Sequence, residues 1–256
     1  MTIIKEKSLS EKITEAAKMG NSEKLSILIA QSKNSIDCNE ALESASENGH
    51  TECVKLLIPA SNSKVNKRNS LILASSNGHV ECVKLLITAS DAKDSKSCAL
   101  MRACEYGHAE SVKILIPVSD PKVSKSKALG LASRNGHTEC VKLLIPVSDP
   151  KDNENYALRL ASVSGHTECV KLLIPVSDLN ADHSRALRFA SVNGHVECVK
   201  LLLPHSDISE WKDGEWKHIN FDMQQIIRSY YSKISLTNNI SANNNQISKS
   251  KKSRKL

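Results

Sequence analysis

The chain has 256 residues, only eight of them Phe, Trp or Tyr, so any core it buries is aliphatic. Its formal charge is +7, but residues 223–256 hold seven basic side chains and no acid, which leaves residues 1–222 with 28 of each sign and excludes a body built as one polycation. No apolar run nears the roughly 20 residues that cross a bilayer, and the opening MTIIKEKSLSEKITEAAK has no continuous apolar stretch of the signal-peptide kind. A soluble, cytoplasmic chain with no membrane partner is expected, and its eight cysteines are expected to be reduced thiols.

In chain order, residues 1–37 hold an eroded unit, ITEAAKMGNSEKLSILIA, expected to cap the front. A period of 29 then takes over: Gly49, Gly78, Gly107, Gly136, Gly165 and Gly194 are each followed by His, and one step back lands on Gly20. Residues 38–208 contain six such units, among them ALESASENGHTECVKLLIPAS and ALRFASVNGHVECVKLLLPHS. A fixed period in this range signals stacked structural units.

Inside one unit, Leu158, Ala161 and Ser162 recur at helical spacing and stop at Gly165, a residue able to take the left-handed conformation that ends helices. This predicts a first helix of about two turns. A second helix is expected after His166, with Glu168 in its first turn, where it complements the helix dipole. Its predicted inward stripe is Cys169, Val170, Leu172, Leu173 and Ile174, and Pro175 is expected to close it, because the residue before a proline is pushed out of the helical region. Helices this short do not hold alone in water and must stack on the same pair next door.

The unit resembles the ankyrin repeat over roughly residues 10–208. It keeps the Ala-Leu start, the small pair Ala161-Ser162, the Gly-His turn and the E-x-V-K-L-L run of that family's pattern. The resemblance implies an all-α helical solenoid of about seven helix-turn-helix repeats. It also implies histidines that hydrogen-bond between adjacent turns, and a non-enzymatic module that binds a protein partner in a concave groove. The family's usual period is about 33, so about four residues are lost from the segment that forms its projecting hairpin, and shortened hairpin fingers are expected. The family's Thr-Pro is replaced by Tyr156-Ala157 or Lys127-Ala128.

His-x-x-Cys recurs in five units, at His50 and Cys53, His79 and Cys82, His137 and Cys140, His166 and Cys169, and His195 and Cys198. Zinc accepts both residue types but needs four ligands about 2.0–2.3 Å away, whereas stacked helices lie about 8–10 Å apart. One unit carries Ser111 instead, which breaks a metal ladder but merely fills space in a core. Packing is the reading, with no metal and no cofactor expected. Six equivalent histidines also speak against catalysis, which needs one group in a special environment, and no nucleophile triad or phosphate-cradling loop stands out.

Positions that every unit keeps build the stack, including the Glu-Lys pairs of the second helices, read as a solvated face. Recognition is sought where units differ, and the Tyr and Arg residues among those positions nominate Tyr106, Arg134, Tyr156, Arg159, Arg185 and Arg188 as a contact patch for a protein partner. Residues 209–236 hold five of the eight aromatic residues and are expected to form a capping helix segment, with Phe221, Ile226, Ile227 and Tyr230 spaced to lie on the last repeat. A motif for docking a second protein has the same look. Residues 237–256 are expected to be a disordered basic tail. The run KSKKSRK is the basis of an alternative in which the tail associates with nucleic acid or directs nuclear import. A monomer is expected.

Overall fold

The computed structural model describes residues 7–32, 38–61, 63–90, 93–119, 123–177, 183–208, 211 and 213–236. The tail at 237–256 and the disorder expected of it lie outside them. Seven helix pairs follow one another: α1 Leu9–Lys18 with α2 Ser22–Gln31, α3 Asn39–Glu47 with α4 Thr51–Ala60, and α5 Lys64–Ser76 with α6 Val80–Ala89. Then come α7 Lys93–Tyr106 with α8 Ala109–Leu115, α9 Val123–Arg134 with α10 Thr138–Leu144, α11 Asp152–Ser164 with α12 Thr167–Leu173, and α13 His183–Val192 with α14 Val196–Leu202. A short α15, Asp213–Trp216, and a last helix α16 over 221–236 complete the order, and no strand occurs among the described residues.

Each pair turns on a glycine with φ between 71 and 81°. In the second to seventh pairs the following histidine donates its backbone N–H to the carbonyl five residues back, as His137 does to Ala132 at 2.9 Å, and stands at the N-cap position of the second helix; in the first pair Asn21 takes this place. The first pair starts with a reciprocal cap, in which Ser8 Oγ accepts from Glu11 N and Glu11 accepts from Ser8 N.

Two local expectations are corrected. The helices α5, α7 and α9 run 13, 14 and 12 residues, three to four turns rather than two, because the segment that would have formed a finger winds on as helix. In α8, α10, α12 and α14 the α-helix does end just ahead of the proline, but not by the residue before it leaving the helical region. Ile116, Ile145 and Ile174 stay helical immediately before Pro, and the chain passes through one 3-10 turn, Ile174–Val176 in the sixth pair, before turning out at Ser177. In α4 the ring of Pro59 lies inside the helix. The proline falls in the final turn, where its missing N–H costs one bond and breaks no continuing ladder.

The core is a ladder. Leu42, Leu71, Leu100, Leu129, Leu158 and Leu187 come from the first helices, and Val54, Val83, Val112, Val141, Val170 and Val199 from the second, all with no exposed surface. Cys169, Val170 and Leu173 point inward as predicted, Ile174 is nearly buried, and Leu172 is only half-buried. Each such leucine or valine contributes about 1.5–3 kcal/mol by leaving water. Neighbouring first helices pack along most of their length and second helices over less of theirs, which curves the stack with the first helices inside.

The cysteines are free, and seven of the eight are buried. Burial raises the thiols of Cys53, Cys82, Cys104, Cys140, Cys169 and Cys198, with Cys140 pushed up to about 11. The thiolate is the reactive form, so a bulky aromatic disulfide reagent at neutral pH should titrate the half-buried Cys98 quickly and the other seven only on unfolding. Several fast thiols in the native protein would contradict the buried ladder.

Three cysteines also meet a threonine of the preceding pair: Thr51 Oγ1 lies 3.6 Å from Cys82 Sγ, Thr138 Oγ1 3.8 Å from Cys169 Sγ, and Thr167 Oγ1 3.7 Å from Cys198 Sγ. Ser111 occupies the cysteine position in the fourth pair, where its counterpart 31 residues earlier is Val80, and its hydroxyl is buried without a partner. Ser111→Cys should therefore raise stability by about 1 kcal/mol in a thermal melt, because a buried unsatisfied hydroxyl is replaced by a small apolar group. A loss of stability would show that Ser111 is satisfied after all.

At the C-terminal end Ile219, Met223 and Ile227 are buried at four-residue spacing, and Tyr231 Oη donates to Ser206 O at 2.7 Å. Trp211 and Trp216 meet edge to face at 5.3 Å, and Arg228 covers Trp216. Ile226 and Tyr230 pack partly against this core, but Phe221 is 70% exposed, since the stripe through 219, 223 and 227 leaves position 221 on the far side of the helix.

Candidate partner-binding groove

Along the inner side of the stack each first helix presents three positions: two before its buried leucine, one after it and five after it. The intervals of three and four place them on one stripe. In α3 these are Glu40, Glu43 and Glu47, and in α5 Asn69, Ile72 and Ser76. In α7 they are Cys98, Met101 and Glu105, and in α9 Lys127, Gly130 and Arg134. In α11 they are Tyr156, Arg159 and Val163, and in α13 Arg185, Arg188 and Val192. Only Gly130 among them is buried. The stripe passes from acidic at α3, through apolar and neutral residues of α5 and α7 interrupted by Glu105, which pairs with Arg102 at 2.7 Å, to basic from α9 onward.

The six nominated residues separate into two groups. Tyr106 and Arg134 end α7 and α9, both exposed, whereas Tyr156, Arg159, Arg185 and Arg188 lie toward the starts of α11 and α13. Relative to its own core leucine, Tyr106 sits eight positions further on than Tyr156, about 12 Å along the helix axis. Within the second group Tyr156, Arg159 and Arg185 form a physical cluster. Glu154 accepts from Arg159 Nη1 at 3.2 Å and from Arg185 Nη1, while Arg159 Nη2 also donates to Asn153 O at 3.2 Å and its guanidinium lies 6.0 Å from the Tyr156 ring centre. Arg159 is consequently only 17% exposed. Arg188 lies 5.7 Å from the Phe189 ring.

Two features of this cluster escape a reading of the columns. Asn153, Glu154 and Asn155 all have positive φ, near 50 to 56°, a backbone that residues other than glycine rarely take; this left-handed turn starts α11 and swings Glu154 between the two arginines. Gly130 is the one stripe residue without a side chain, and a Cβ there would stand 2.8 Å from the Tyr156 ring. A glycine inside a helix costs about 1 kcal/mol against Ala. Here it seats an aromatic ring from the next pair. The signal in the sequence was the break in that column at Gly130, paired with the tyrosine 26 residues on.

Beside the ring opens a cavity of about 370 Å³, lined by the apolar Met101, Leu131, Tyr156 and Ala157 and by the polar Lys127, Asp149, Asp152 and Asn153. It lies where α7, α9 and α11 pass one another.

The histidines do not face the groove as ligands. His50, His79, His108, His137 and His195 place Nε2 2.8–3.0 Å from backbone carbonyls of the preceding pair, those of Lys18, Glu47, Ser76, Glu105 and Val163. The cysteine of each His-x-x-Cys is meanwhile buried between helices, so the two residues serve different neighbours. Among the described residues no three His, Cys, Asp or Glu side chains gather as a metal site.

A family model for ankyrin repeats matches three overlapping stretches, residues 42–127, 71–152 and 129–211. Among solved structures, the human ASB11 ankyrin repeat domain superposes with a TM-score of 0.53 at 22% identity, covering 79% of this chain and 87% of that one, a likeness of fold. No curated protein matches the sequence.

Proposed function

The chain belongs to the ankyrin-repeat family, and from that premise we propose that it is a non-enzymatic interaction module that grips a protein partner in the groove lined by its first helices. One observation carries the reading: side chains that stack the pairs hardly change from unit to unit, whereas the exposed stripe of the first helices differs in every one of them. Arg134, Tyr156, Arg159, Arg185 and Arg188 on the stripe, with Tyr106 one residue beside it, supply the aromatic and guanidinium contacts, the residue types most often central to protein interfaces. Glu40, Glu43 and Glu47 on the same face repel a continuous polyanion, which favours protein over nucleic acid as the groove's occupant. No helix among the described residues is long and apolar enough to cross a membrane.

A photo-crosslinking amino acid placed at Arg134, inside the groove, should yield protein adducts in the native cell extract, and the same group at Glu139, on the outer side, should yield few. Equal adducts from both faces would reject the groove as the binding surface.

A further inference from the structure

The groove's chemistry narrows what it can hold, and the following rests on the protein-binding reading above. We propose that the occupant is a peptide segment that sets one bulky apolar side chain into the cavity beside Tyr156 and carries carboxylates over the arginines of α11 and α13. The cavity, at about 370 Å³, falls within the 300–1,000 Å³ common for binding pockets and accepts a leucine, methionine or phenylalanine side chain with part of its backbone. Met101, Leu131, Tyr156 and Ala157 in its lining give an apolar side chain a surface to bury, while Lys127, Asp149 and Asp152 share that lining and flank the anchor with charge. Gly130 holds the ring in place by being the one stripe residue that leaves room for it.

Charge sets the rest. From α9 onward the stripe carries Lys127, Arg134, Arg159, Arg185 and Arg188, against which Asp149, Asp152 and Glu154 stand as the nearby acids. Glu154, shared by Arg159 and Arg185, gathers two guanidiniums around one carboxylate, leaving the three groups with a net positive charge. At the opposite end Glu40, Glu43 and Glu47 reverse the sign, with Glu43 held by the amides of Asn66 and Asn69 at 3.2 and 2.9 Å. A polyphosphate chain long enough to run the groove meets these glutamates. A peptide whose acidic part stops at the cavity does not. The bound segment therefore has a direction: acidic over α11 and α13, apolar at the junction of α7, α9 and α11, and neutral or basic toward α3. The sign pattern acts on association rate and register more than on final affinity.

The test uses the full chain as bait for a random phage-displayed dodecapeptide library, followed by anisotropy titration of the enriched peptides. Enriched sequences should contain a bulky apolar residue with at least two acids within four positions on one side, and replacing that residue by Ala should weaken binding about tenfold or more. Arg188→Glu with Arg185→Glu should shift selection from acidic to basic flanks. Gly130→Ala, which favours the helix but displaces the Tyr156 ring, should lose the apolar preference while the thermal melt stays intact. Enrichment without an acidic flank, no enrichment at all, or tighter binding of a labelled oligothymidylate than of any peptide would each overturn the inference. If crosslinking from Arg134 still captures protein in those cases, the groove reading stands and only this account of its occupant falls. Loss of that crosslink removes both.

Discussion

Gly107→Ala should destabilise the protein by roughly 3–5 kcal/mol, while the same change at Gly194 costs only about 1–2 kcal/mol. Both residues sit in the same left-handed turn, with φ 81° and 75°, so the backbone penalty is shared. They differ in what a methyl group would strike. At Gly107 an added Cβ lies 2.5 Å from Nδ1 and 2.7 Å from Cε1 of His137, a ring pinned by its own Nε2 to the Glu105 carbonyl at 3.0 Å. At Gly194 no atom of the described residues lies within 4 Å. The clash at Gly107 forces two neighbouring pairs apart, and in a stack each pair is stabilised chiefly by its neighbours. For a chain of this size the difference between the variants should appear as roughly 5–10 °C in Tm. Combining Gly107→Ala with His137→Ala should recover part of the loss, because the struck ring is gone. If the double variant is as unstable as the two losses added together, the glycine is needed for its turn alone and the seat for the histidine is incidental.

Cys169→Asp should cost about 3–5 kcal/mol, through burial of a charge with no partner, and Cys169→Val less than about 1.5 kcal/mol. Cys169 is 1% exposed, packed between second helices, and its thiol meets Thr138 Oγ1 at 3.8 Å, a hydroxyl that also reaches Gly136 O at 3.4 Å and so keeps a partner when the sulfur is removed. The pH dependence follows from burial. An aspartate here has a folded-state pKa above its unfolded value, so its charged form is the costly one, and the deficit relative to the native chain should shrink as pH falls through the folded pKa and widen as pH rises. Chemical denaturation of both variants at pH 7 and pH 5 checks the sign. A Cys169→Val variant that loses several kcal/mol, or a Cys169→Asp variant whose deficit grows on acidification, would show that the sulfur does more than fill space.

What the sequence made legible divides along a physical line. Contacts that repeat every 29 residues could be read directly: the Gly-His turn, the leucine and valine ladder, and the cysteine as a buried small residue all reappear at their expected depth. The histidine bond between turns came with the family resemblance, and five carbonyl contacts now place it. Features that occur once could not be read from a period. The Gly130–Tyr156 seat joins residues 26 apart and the Glu154–Arg185 pair residues 31 apart, neither on the repeat length, and the left-handed turn at 153–155 contains no glycine to announce it. Treating Tyr106 and Tyr156 as members of one patch followed from their residue type, while helix rise separates them along the groove. The first helices exceed their expected two turns for a simpler reason. Shortening a connection says nothing about the conformation of what remains, and Lys64–Asn69 holds no breaker that would stop α5 from starting early.

The glycine of one turn and the histidine of the next fit as socket and plug, and every cassette of 29 residues carries one of each. Such a chain can gain or lose a whole cassette without remaking any joint, since the newly adjacent ends match as well as the old ones did. The identical stretches at 136–149 and 165–178 are what recent copying would leave behind. Excising residues 136–164, one such cassette, would preserve the joints but remove Tyr156 and bring Arg185 to its place beside Gly130, so the same event that is silent for stacking rewrites the order of charges and pockets along the groove. In this architecture length changes are a route to new specificity that bypasses the usual conflict between altering a binding surface and keeping the protein folded.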